Sequence, residues 1–99
     1  MNSDSRYQEA IMTLDFLLAA LAAEQATALS RRDTMATDDD LASVVSELRR
    51  RRQELVERRL APVHLRYRTL TRQVTDSWRL GSKLGNEIAK FEAMLEKLK

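Results

Sequence analysis

From Leu60 to Leu98 the large apolar side chains fall at Leu60, Val63, Tyr67, Leu70 and Val74, then at Leu84, Ile88, Phe91, Leu95 and Leu98, with Ser77 and Gly81 in the seam positions between. Steps of three and four keep these residues on one side of a helix, and such a seam is stable only when another helix covers it. The same rhythm appears earlier, at Tyr7, Ile11, Leu14, Leu18 and Leu21, then Gln25 and Ala28. There Phe16, Leu17 and the alanines at 19, 20, 22 and 23 widen the apolar surface to more than one face. That predicts a helix covered from two sides. Between the two stretches, Leu41, Val44, Val45, Leu48, Leu55, Val56 and Leu60 mark a third apolar face.

Boundary signals divide this pattern into helices. Ser5 and Gln8 have the spacing of a capping box and predict a first helix over about residues 5–31, ending where Arg31 and Arg32 favour the negative end of the dipole. Thr37 followed by Asp38, Asp39 and Asp40 is a strong start for a second helix over about 38–60. Pro62 breaks or kinks the chain and suits the first turn of a third helix over about 62–98. Gly81 and Gly85 allow that helix to be kinked or broken near 81–86. The expected fold is an all-α single domain: a small bundle of three main helices with coiled-coil-like heptad seams.

Composition narrows the class. The 99 residues include two glycines and one proline, as expected of an all-α chain, and allow one small core. There is no cysteine, which excludes thiolate metal sites and disulfides and fits a cytoplasmic protein. The start of the chain lacks a basic segment leading into an apolar one, so no secretory signal is expected. The most apolar run, Ala10 to Ala23, contains Thr13 and Asp15 and is too short to span a bilayer.

Charge is distributed unevenly. Residues 1–48 hold nine acids and three arginines, whereas residues 49–79 hold ten arginines, no lysine and three acids. Arg51, Arg52, Arg58, Arg59, Arg66 and Arg68 form a candidate anion-binding surface, with Arg52, Arg59 and Arg66 recurring every seven residues. The competing expectation is internal pairing with Asp38–Asp40, Glu47, Glu54 and Glu57. A second candidate surface is a row of small residues at four-residue spacing, Ser77, Gly81, Gly85, Ala89 and Ala93. Such a row invites close approach of another helix, either within the chain or from a second copy or partner, in which case Leu84, Ile88, Phe91 and Trp78 beside it are partner-binding residues; a simple loop at Gly81–Asn86 is the remaining reading. Catalysis has little support: His64 is the sole histidine, with no obvious partner, and no metal-ligand spacing or cofactor motif is visible.

The positions Leu17-Leu18, Glu24, Ala28-Leu29, Asp33, Leu41, Arg51/Arg52 and Leu55 are similar to the opening hairpin of flagellar and type III export chaperones of the helical-hairpin kind. That resemblance covers about half the chain and implies an antiparallel hairpin that binds a partner's helix. The stretch Leu14-Asp15-x-Leu17-Leu18 through Ala23-Glu24 is similar to the first helix of small all-helical chorismate mutases. Those enzymes need cations on that helix, where Gln8 and Gln25 are uncharged. The expectation is therefore a non-enzymatic interaction module (adaptor, chaperone or inhibitor) that binds another protein or itself. The alternative is a small nucleic-acid-binding regulator using the Arg-rich stripe at 49–72.

Overall fold

A computed structural model describes residues 3–59, 69–79 and 81–98. Among these the chain is all-helical: α1 Ser3–Gln25, a single 3₁₀ turn Leu29–Arg31, α2 Asp38–Glu57, α3 Thr69–Ser77 and α4 Lys83–Glu96. Four α-helices thus stand where three were expected. The long third helix is two, and the row of small residues does not continue across the break.

Each boundary has a local cause. Helix α1 begins two residues before Ser5 and stops at Gln25 rather than near Arg31. It stops there because the Arg32 side chain folds back over its end: Nε donates to the carbonyls of Glu24 and Thr27 (both 2.9 Å) and Nη2 to that of Gln25 (3.3 Å). These carbonyls lie at and just past the helix end, where intrahelical donors run out. Helix α2 begins as its sequence predicts, with the Thr37 hydroxyl accepting from the Asp40 N–H and three aspartates in the first turn.

Helix α2 ends at Glu57, before Leu60. Arg58 adopts a left-handed conformation (φ 57°), and the Arg59 N–H donates to the Glu54 carbonyl at 2.8 Å, closing the helix as a Schellman turn. The Arg58 guanidinium lies 4.3 Å from the centroid of the Tyr7 ring, a cation–π contact that ties this turn to α1. Pro62, His64 and the seam residues Leu60, Val63 and Tyr67 fall outside the described residues.

The break between α3 and α4 comes at Trp78–Ser82, earlier than the glycine spacing suggested. Gly81 takes φ +84°, and Ser82 caps α4 by accepting from the Gly85 N–H at 3.0 Å. The chain reverses there, so α3 and α4 form an antiparallel hairpin that covers its own seam. An unbroken third helix would have been roughly 55 Å long, with an end the other helices could not cover. The break removes that uncovered end.

Helix α1 packs antiparallel to α2 on one side and to α4 on the other, while α3 packs on α4 and alongside α2. The core is built from the α1 positions Tyr7, Ala10, Leu14, Leu17 and Leu21, which keep three-four spacing one step rotated from the expected seam. Leu41, Val44, Leu48 and Leu55 enter from α2, Leu70 and Val74 from α3, and Leu84, Ile88, Phe91 and Leu95 from α4.

Candidate functional site

Where α1, α2 and α4 meet, a polar cluster joins the two hairpins. Glu24 accepts from the Asp33 N–H (3.1 Å), the Thr34 N–H (3.2 Å) and the Thr34 hydroxyl (2.8 Å). Asp33 in turn accepts from the Ser82 hydroxyl (2.8 Å) and from the N–H groups of Leu84 (3.0 Å) and Lys83 (3.4 Å), the first turn of α4. The Leu84 N–H does most to hold the Asp33 carboxyl below its ordinary value. Ser82, Lys83 and the charge of Arg79 act in the same direction, against partial burial. Arg32 completes the cluster by donating to the Ala36 carbonyl (2.9 Å) and pairing with Asp38. These carboxylates serve as caps for distant backbone, and their oxygens face N–H and O–H donors.

A second tie of the same kind lies within the other hairpin. Glu92, only 3% exposed, accepts from the N–H groups of Leu70 (2.9 Å) and Thr71 (2.7 Å) and from the Thr71 hydroxyl (2.7 Å). A side chain on α4 therefore caps the start of α3. No sequence spacing flagged Glu24, Asp33 or Glu92 as a cap, since each acts on backbone nine or more residues away.

The Arg-rich segment is engaged largely with acids of the same chain. Arg52 forms a forked pair with Asp15 of α1, at 2.7 and 3.2 Å, which lowers the Asp15 pKa and raises that of Arg52. Arg50 and Arg51 both reach Glu47 and Glu54 along α2. Arg59 lies 3.9 Å from Glu57 and Arg58 on Tyr7, whereas Arg66 and Arg68 fall outside the described residues. The expected partners Glu47, Glu54 and Glu57 are used. Asp38 instead pairs with Arg32. A shallow groove of about 440 Å³ between α2 and α3 is lined by Ser43, Ser46, Glu47, Arg50 and Gln73, and the Gln73 amide donates across it to Ser43 at 3.0 Å.

The row of small residues does not form one surface. Ser77 and Gly81 are exposed on either side of the break, Ala89 and Ala93 are half-buried, and Gly85 is buried against α3. A Cβ added at Gly85 would lie 2.8 Å from Val74 Cγ1, so the close helix approach exists there, inside the molecule. Leu84, Ile88, Phe91 and Trp78, expected to meet a partner, belong to the chain's own core. At Gly81 a Cβ would meet nothing, and its positive φ makes it a turn residue.

Among the described residues, the two most exposed large apolar side chains lie on α1. Phe16 is 71% exposed and Met12 is 70% exposed, and Ala19, Ala23 and Ala26 are also exposed. At 100° per residue Met12, Phe16, Ala19 and Ala23 fall within about 40° of one line along the helix, and Ala26 follows just past its end. Sequence periodicity flagged α1 as apolar on more than one face, and α2 and α4 cover only the inner one.

Among the described residues no group of three or more His, Cys, Asp or Glu is placed to hold a metal ion, and no helix is long and apolar enough to cross a membrane. In comparisons with known proteins, no family model, no curated protein and no solved structure matches this chain.

Proposed function

We propose that this chain is a non-enzymatic helical interaction module, an adaptor, chaperone or inhibitor acting in the cytoplasm, and that it docks through the outer face of α1. The observation that carries the reading is the pair Met12 and Phe16, one turn apart and both largely exposed on a helix whose opposite face lies in the core. A monomeric surface helix normally turns polar residues outward, and a contiguous apolar stripe marks a contact surface. The α1–α2 hairpin keeps that stripe on a rigid, well-packed scaffold, with Leu14, Leu17 and Leu21 fully buried behind it.

Nucleic-acid binding through the arginines has weaker support. Glu47, Glu54 and Asp15 neutralise Arg50, Arg51 and Arg52, and a phosphate would have to displace them. The test of the main reading is Phe16→Glu in the full chain. Helicity and melting temperature stay at the parent's values, while association, with itself or with a co-purifying protein, is lost. A variant with unchanged sedimentation and unchanged co-purifying proteins refutes the docking face.

A further inference from the structure

The exposed apolar stripe of α1 is graded in size: Met12 and Phe16 come first along it, and Ala19 and Ala23 follow. Met12 and Ala23 stand equally far on either side of the midpoint between Leu17 and Leu18, and so do Phe16 and Ala19. The geometry points to a second copy of this chain as the occupant, its α1 running antiparallel to the first about a two-fold axis at that midpoint. Phe16 of each copy then enters the space over Ala19 of the other, and Met12 the space over Ala23. Large meets small at each layer, as knobs-into-holes packing requires. A parallel pair would set Phe16 on Phe16 and leave the alanines facing one another.

Charge favours the same direction. Helix α2 lies beside α1, starts with Asp38, Asp39 and Asp40, and carries Arg49 to Arg52 further on, with Arg58 and Arg59 just past its end. An antiparallel pair of α1 helices sets the two α2 helices antiparallel as well, so their acidic starts lie at opposite ends, whereas a parallel pair sets like beside like. Asp15, the carboxylate beside the centre of the stripe, is already held by Arg52 and does not enter the contact uncompensated. Two single-helix stripes fall below the usual size of a stable dimer contact, about 1,200 Å² or more, so the pair is weak and reversible.

This self-pairing rests on the outer face of α1 being the docking surface, and the test separates the two. The chain has no cysteine, so introduced thiols report only themselves. Met12→Cys/Ala23→Cys together should give a disulfide-linked dimer on mild oxidation. Within one helix these positions lie about 16 Å apart and cannot close on each other. Either substitution alone should cross-link only at the rate of random collision. By sedimentation velocity, Ala19→Phe alone should weaken the dimer about tenfold or more, because phenylalanine then meets phenylalanine. Phe16→Ala/Ala19→Phe should restore it, since large again meets small. A chain that stays monomeric at several hundred micromolar (on the order of the weakest useful contacts) overturns the self-pairing, as does Ala23→Cys alone linking as fast as the double variant. If that monomer still loses a stoichiometric foreign protein on Phe16→Glu, the docking face stands and only the choice of occupant fails.

Discussion

Replacing Glu92 by alanine tests how much of the α3–α4 hairpin depends on one buried carboxylate. Glu92 accepts three hydrogen bonds, two from the first backbone N–H groups of α3 and one from the Thr71 hydroxyl. Truncation leaves the buried Leu70 N–H with no acceptor, which costs about 1–3 kcal/mol. The Thr71 N–H and hydroxyl are part-buried and recover some hydration, so they add about 1 kcal/mol together. The lost methylenes leave a small cavity worth about another 1 kcal/mol. Relief from burying the charge offsets part of this, and the sum is a destabilisation of about 3 kcal/mol. Glu92→Gln keeps one acceptor oxygen and should cost about half as much. Urea unfolding followed by circular dichroism measures both values. Hydrogen exchange should show α3 amides losing protection before those of α1 and α2, because the tie is local to that hairpin. A Glu92→Ala change below about 0.5 kcal/mol, or uniform loss of protection, would refute the capping role.

The two glycines should respond differently to size. At Gly85, alanine meets Val74 and is roughly neutral to mildly destabilising after its gain in helix propensity, while leucine costs about 3 kcal/mol or more. At Gly81, alanine and leucine should cost about the same, 1–2 kcal/mol by backbone strain alone, and thermal melts that grade with size there would count against the turn. Asp33, its pKa depressed in the folded state, contributes stability that is present above the ordinary carboxylate value of 3.8 and is lost as pH falls through and below it. Asp33→Asn should therefore destabilise at neutral pH and flatten the acid side of a pH–stability profile, and an unchanged profile would contradict its capping of α4. Arg52→Gln should leave the fold and its melting temperature nearly unchanged, since the pair with Asp15 is solvent-exposed. Submicromolar binding of nucleic acid at physiological salt, lost in that variant, would instead favour the phosphate-binding alternative.

Much of this architecture was legible in the apolar spacing. Leu14, Leu21, Leu41, Val44, Leu48, Ile88 and Phe91 are buried because a three-four repeat must face a neighbour, and the Thr37-Asp-Asp-Asp start holds because capping is local. The split of the last helix was harder to see. The seam stays in phase from Val74 to Leu84, so a chain reversal between them looks like continuity, and the side chain that closes the core there is Trp78 rather than Ser77. Glu24, Asp33 and Glu92 were hidden for a different reason. A carboxylate that caps backbone 9, 21 or 51 residues away leaves no short motif, and only the fold brings acceptor to donor. The proposed docking face was half visible: α1 is apolar on more than one face, but which side stays open depends on where α2 and α4 settle.

The most direct test of the account is analytical ultracentrifugation of the parent chain and Phe16→Glu, with circular dichroism on the same samples. The account predicts that the parent's sedimentation coefficient rises with concentration, that the variant's stays at the monomer value, and that the two share helicity and melting temperature because Phe16 is 71% exposed. A variant that associates as the parent does, or that loses its fold along with association, would contradict a docking role for the outer face of α1.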